Sequence, residues 1–89
     1  MIQGWRGREA EAILRGAPLK GVSADLARAA RRRLMQLDAA ASVEDLRTPP
    51  GNRLHLVGDI WSISVNMQYR ITFTWGANGP EEVWFGDYH

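Results

Sequence analysis

Apolar residues recur with a helical period in the first half of the chain and alternate in the second. Between Gly7 and Arg15, the residues Ala10, Ile13 and Leu14 mark one side of a short amphipathic helix, which Gly16 and Pro18 terminate. A second helix is predicted from Ala24 to about Ala39. Ser23 suits its N-cap, and Leu26, Ala30, Leu34 and Leu37 recur on its buried face. Ser42 caps a further short turn, whose Glu44 and Asp45 suit the positive end of a helix. Thr48-Pro49-Pro50-Gly51 then stops the helical half, because proline cannot continue a helix and glycine tolerates left-handed backbone.

From Arg53 onward the period is two. Strands are predicted at Arg53–Val57, Ile60–Val65, Tyr69–Trp75 and Glu82–Tyr88, joined through Gly58-Asp59, Asn66-Met67-Gln68 and Gly76–Pro80. Alternation sends Trp61, Ile63 and Val65 to one side, with Tyr69, Ile71, Phe73 and Trp75. Ser62, Ser64, Arg70, Thr72 and Thr74 go to the other. The expected architecture is α+β. Two N-terminal helices pack on one face of a small, mostly antiparallel sheet, and the second face is polar and open.

Composition narrows the field. A chain of 89 residues is expected to form one domain, 1–89, with a compact core. Its 45% hydrophobic and 24% charged content is that of a globular protein. The absence of cysteine excludes a disulfide scaffold, a thiolate zinc site and a thiol nucleophile. Arg6, Arg8, Glu9, Glu11 and Arg15 interrupt the first twenty residues, so neither a signal peptide nor a membrane span is expected, and the location is read as cytoplasmic with no membrane partner. The net charge of +1 conceals an asymmetry: residues 1–41 hold eight basic and four acidic groups, residues 42–89 three and six. A nucleic acid would therefore meet local arginine groups, and its binding should be weak and salt-sensitive.

Those arginines carry the first candidate chemistry. Arg28, Arg31 and Arg32, with Arg33 beside them, share one helix face, which is either a phosphate-contacting surface or a solvated one. Arg70, among Ile, Thr and Phe on the polar face, either pairs with a carboxylate, the commoner outcome, or presents a fixed cation to a ligand. His55 lies in the first strand, and His89 ends the chain after Asp87 and Tyr88. Singly, each histidine reads as structural. Gathered on one open face with Arg70, these imidazole, guanidinium, carboxylate and phenol groups suffice for RNA cleavage without metal. The histidine spacing carries no ligand signature, and neither metal nor cofactor is expected. Four tryptophans serve mainly for burial, but Trp84 is out of phase with Val83 and Phe85 and is the one best placed to stack on a base.

The same residues carry a family resemblance. Leu37-Asp38-Ala39-Ala40, Asp45-Leu46-Arg47, Pro49-Pro50-Gly51-Asn52-Arg53-Leu54, Tyr69-Arg70-Ile71-Thr72-Phe73 and the ending Asp87-Tyr88-His89, in that order, resemble HigB-type toxins of the RelE/ParE toxin superfamily. The resemblance runs over nearly the whole chain. It implies a RelE-like, microbial-RNase-like fold and a type II toxin that cleaves mRNA at the ribosome without metal. It also implies a HigA-type helix-turn-helix antitoxin, through whose complex alone operator DNA is bound. By the family pattern, His55, Arg70, Asp87, Tyr88 and His89 form the catalytic surface, with proton transfers shared among His55, Asp87 and His89. Arg28, Arg31, Arg32 and Arg53 are the expected contacts to RNA and the ribosome. Three departures stand out: Val57 occupies a position where relatives usually carry lysine, the connection after it is shorter, and Ser64 stands at a strand position that is often arginine. They support an alternative, a catalytically impaired homologue that binds antitoxin and regulates its operon. A third reading, a ParE-like gyrase inhibitor, is disfavoured by the Asp-Tyr-His ending.

Overall fold

A computed structural model of the chain describes residues 1–87. Helix α1 spans Glu9–Leu14 and helix α2 spans Ala24–Ala39. α2 begins where its cap predicts, with the Ser23 hydroxyl accepting the Leu26 amide at 3.1 Å, and it buries Ala30, Leu34 and Leu37 completely. α1 is shorter than the sequence suggests because Gly7 and Gly16, at φ 81° and 80°, bend the backbone out of helix on either side of it. A 3-10 turn at Val43–Arg47 follows α2 and turns Leu46 into the core. The Asp45 carboxylate accepts the amides of Ala41 at 2.9 Å and Ser42 at 3.2 Å, which fixes the entry to that turn. A second 3-10 turn covers Pro50–Asn52.

The sheet is the expected antiparallel meander in the order β1-β2-β3-β4. Its strands are β1 (His55–Val57), β2 (Ile60–Ser64), β3 (Tyr69–Gly76) and β4 (Gly79–Asp87). β1 starts two residues later than predicted because Arg53 adopts the left-handed region at φ 48°. β4 starts three residues earlier. Gly76 pairs with Gly79 across a two-residue turn, so Pro80 lies inside the strand and not in a long loop. The early start is absorbed by a bulge: register shifts between Thr72 and Thr74, and Glu82, opposite this step, sits at φ 52°. With that extra residue Pro80, Val83 and Phe85 all reach the buried side, while Trp84 falls opposite Thr72 on the polar side.

Ile63, Ile71, Phe73, Val83 and Phe85 from the sheet meet Ala10, Ile13, Ala30, Leu34, Leu37 and Leu46 in a single core. Burying such side chains contributes about 1.5–3 kcal/mol each against the ordering of the chain. One addition was not legible in the strand pattern. Residues 3–6 run beside β4, with hydrogen bonds from the Gln3 amide to the Pro80 carbonyl (2.7 Å), the Val83 amide to the Gly4 carbonyl (3.0 Å) and the Arg6 amide to the Val83 carbonyl (2.9 Å). Trp5 and Val83 form a parallel bridge. This segment is tied to the helix layer by the Ile2 amide, which donates to Asp38 Oδ1 at 2.8 Å.

The second sheet face corrects an expectation. It is polar but not open at its centre, since Ser62, Ser64 and Thr72 are only 5%, 7% and 5% exposed. These short side chains sit low on the sheet, and longer ones such as Arg70, bonded to the Ser62 hydroxyl, lean over them. Among the described residues no helix is long and apolar enough to cross a membrane.

Candidate active site

β1, β2 and β3 place His55, Ser62 and Thr72 in one row across the polar face, since His55 pairs with Ser62 and Ser62 with Thr72. Arg70 lies two residues along β3, opposite Ser64. Its guanidinium turns back along the sheet. Nε donates to Ser62 Oγ at 2.5 Å, and an Nη atom lies 3.1 Å from His55 Nδ1. No carboxylate among the described residues pairs with it, so the commoner outcome expected of a strand arginine, a salt bridge, does not occur here. Arg70 is a half-buried cation held by neutral groups. Two of its five N–H donors are engaged by these contacts, and among the described residues no side-chain partner is seen for the others.

His55 Nδ1 faces two neighbours of opposite kind. Besides the Arg70 donor at 3.1 Å, it lies 3.2 Å from the Arg53 carbonyl oxygen. One ring nitrogen serves only one of them at a time. With hydrogen on Nδ1 the ring donates to the Arg53 carbonyl, and Nε2 carries a lone pair that can take a proton. With hydrogen on Nε2 the ring accepts from Arg70, and Nε2–H can donate. Each neutral tautomer thus has a partner in place. The left-handed turn at Arg53 just before β1 lies beside this carbonyl, a contact no sequence pattern announced.

A cleft of about 160 Å3 adjoins this pair, lined by Arg6, His55, Val57, Ile60, Ser62 and Thr72. Arg6 was not singled out by the sequence, where it read as one of several charges near the N-terminus. Its guanidinium sits over the Trp84 indole, 5.3 Å from the ring centroid. The indole lies along β4 above Gly86. A β-carbon at residue 86 would come within 2.3 Å of indole Cζ2. Gly86 pairs with Arg70, so the missing side chain leaves room for the ring next to the arginine.

The other candidates are dispersed. Asp87 pairs with Tyr69, one step past the Arg70–Gly86 pair, and strand alternation directs it to the face opposite Arg70; there it accepts a hydrogen bond from Gln68 Nε2 at 2.8 Å. Tyr88 and His89 lie outside the described residues. Arg53 lines a different groove, with Gly51, Ser64, Val65, Asn66 and Met67. Arg28, Arg31 and Arg32 line a shallow groove with Met35 on the outer side of α2, and the sheet separates them from Arg70. Arg28 is paired with Asp25, while Arg31 donates to the Leu14 carbonyl at 3.1 Å. Arg33 turns inward and donates to the Ser64 carbonyl at 3.2 Å. Among the described residues, no three histidine or acidic side chains gather in a way that could hold a metal ion.

The chain is similar to known toxins of one family. A family model described as a RelE-like toxin of the type II toxin–antitoxin system HigB matches residues 16–89. The chain is 56% identical over 48 residues to Toxin HigB-1 of Vibrio cholerae serotype O1, covering 49% of this chain and 50% of that protein. It is 34% identical over 61 residues to an uncharacterized protein of Haemophilus influenzae, covering 64% of this chain and 60% of that one. The chain thus spans between half and about 60% of the length of these curated relatives.

Proposed function

The chain belongs to the HigB-like family of RelE-like toxins of type II toxin–antitoxin systems, and we propose that it acts as an mRNA endoribonuclease that stops translation at the ribosome, without metal or cofactor. The observation that carries this reading is Arg70, a half-buried guanidinium with no carboxylate partner among the described residues, held against His55 and Ser62. A cation kept free of counter-charge on a preorganised face is suited to stabilising charge that develops on a phosphate.

In this reading a base removes the 2′-hydroxyl proton and the 2′-oxygen attacks the adjacent phosphorus. The 5′-oxygen then leaves with a proton from an acid, giving a 2′,3′-cyclic phosphate and a 5′-hydroxyl. Arg70 braces the equatorial oxygens. His55 carries one proton transfer through Nε2, with the Arg53 carbonyl or Arg70 supporting whichever tautomer is needed. His89 is proposed to supply the complementary acid or base and Tyr88 a nucleotide-orienting phenol, while Asp87, on the opposite face of the sheet, takes no direct part in the proton transfers. Arg28, Arg31, Arg32 and Arg53, which face other surfaces, contact ribosomal RNA and not the scissile phosphate. A helix-turn-helix antitoxin of the HigA type neutralises the toxin, and operator DNA is bound only through that complex.

Expression of the chain without an antitoxin should arrest growth and produce mRNA 5′ ends inside translated codons. Arg70→Gln and His55→Ala should remove those ends; unchanged cutting in both variants overturns the proposed site. One observation favours a second reading. Val57, 60% exposed, presents an apolar side chain to the cleft wall where relatives are expected to carry a cation. A homologue that retains antitoxin binding but has lost cleavage would bind the antitoxin and leave mRNA intact.

A further inference from the structure

Arg6 reaches the polar face from outside the stretch that matches the toxin family, which begins at residue 16. Its backbone is fixed by the 2.9 Å hydrogen bond to the Val83 carbonyl, and its guanidinium rests over the Trp84 indole. The side chain lines the same cleft as His55 and Ser62. Glu82 shares a small adjoining pocket with it, but neither Glu82 nor any other carboxylate among the described residues forms an ion pair with Arg6. β1 contributes no cation of its own to this cleft; its contribution is His55 and Val57. Arg6, from the N-terminal segment, therefore lines a cleft whose His55 and Ser62 walls are themselves held by Arg70 of β3, and among the described residues neither arginine has an acidic partner. Backbone pairing and an aromatic platform limit the freedom Arg6 has to lose when a ligand arrives.

We propose that Arg6 is the second phosphate-binding group of the cleft, positioned by Trp84, and that together with Arg70 it brackets a phosphodiester of single-stranded RNA beside His55. The proposal rests on the ribonuclease reading above. In this arrangement Arg70 serves the reacting phosphate and Arg6 holds the backbone in register along the row His55, Ser62 and Thr72. Trp84 keeps the Arg6 guanidinium turned toward the cleft. Gly86 is what permits the indole to lie there.

The test uses a short 2′-O-methyl RNA, which lacks the attacking hydroxyl, bound to the purified full chain over a series of salt concentrations. Each phosphate contact to a single strand contributes about 0.7 to the slope of log affinity against log salt. Arg6→Gln should lower the slope by about 0.7, and Arg70→Gln should do the same. Val57→Lys added to Arg6→Gln should restore it, because residue 57 faces the same cleft and returns a cation without rebuilding the contact to Trp84. Melting curves establish that each variant is folded. A slope that falls in Arg70→Gln but stays unchanged in Arg6→Gln overturns the role of Arg6 and leaves the ribonuclease reading standing. A slope lost in Arg6→Gln and not restored by Val57→Lys makes Arg6 a structural residue and also overturns the proposal. Absence of RNA binding by the unaltered chain at every salt concentration, with no mRNA cleavage, removes both.

Discussion

Replacing Gly86 by alanine tests whether the indole of Trp84 lies where the site requires it. The new β-carbon would meet indole Cζ2 at 2.3 Å, Cη2 at 2.5 Å and Cε2 at 3.0 Å, and these are its three nearest neighbours. Ordinary contact begins near 3.4 Å, so the ring must withdraw by about 1 Å or more. Its freedom to shift is limited by Arg6, whose guanidinium lies over the ring face 5.3 Å from the centroid. Forcing one methyl group into a filled space costs about 1–3 kcal/mol, and weakening the arginine–indole contact adds about 0.5–1 kcal/mol. The backbone at 86 is ordinary strand, where alanine is otherwise tolerated better than glycine. Thermal unfolding should therefore show Gly86→Ala destabilised, with the melting temperature falling about 4–8 °C for each kcal/mol in a chain of this size. In a Trp84→Ala background the obstacle is gone, and the same substitution should be neutral or slightly stabilising. An equal loss in both backgrounds would refute the reasoning, as would no loss with Trp84 intact.

Three further outcomes follow from local geometry. Asn52 is fully buried and its Nδ2 donates to the Leu46 carbonyl at 3.0 Å and to Gln36 Oε1 at 3.1 Å. Asn52→Ala strands that carbonyl and should lower stability in urea by about 1–3 kcal/mol. Ser23→Ala removes the cap of α2 and should lower stability by about 1 kcal/mol, readable from the same unfolding curves. The hydrogen bond from Arg47 holds the Glu44 carboxyl below its ordinary range. A depressed carboxyl contributes stability above its unfolded titration range and loses it as pH falls through the folded one. The small stability difference between the unaltered chain and Glu44→Gln should accordingly be present at neutral pH and vanish in acid; a difference that grows in acid would contradict it.

What the sequence disclosed follows the range of the interactions involved. Ser23 and the spacing of Ala30, Leu34 and Leu37 are local signals, and α2 appears where they put it. Alternation in β2 and β3 set the faces correctly, because a period of two survives any choice of partner. The bulge at Glu82 was hidden, since a non-glycine residue in the left-handed region has no sequence signature, and with it the start of β4 was misplaced. The docking of residues 3–6 along β4 depends on contacts across almost the full chain, and only Ile2 and Trp5 hinted that this segment has a side to bury. The site divides the same way. His55 and Arg70 come together because two hairpins place them in adjacent rows, a geometry that follows from the meander. The charge count could not reveal that Arg70 has no acidic partner among the described residues, nor that Arg6 reaches the cleft lined by His55 and Ser62 from the opposite end of the sequence. The arginines of α2 were legible as a shared face, and that face lies on the side of the molecule away from the cleft.

The central claim is that Arg70, held beside His55 with no carboxylate partner among the described residues, stabilises the transition state of RNA cleavage. Single-turnover cleavage of mRNA on programmed ribosomes, comparing the purified chain with Arg70→Gln at saturating toxin, measures this directly. The account predicts that the unaltered chain cuts within the occupied codon and that Arg70→Gln slows cleavage by about a hundredfold or more. Equal rates for the two proteins, with the same cut site, would contradict it.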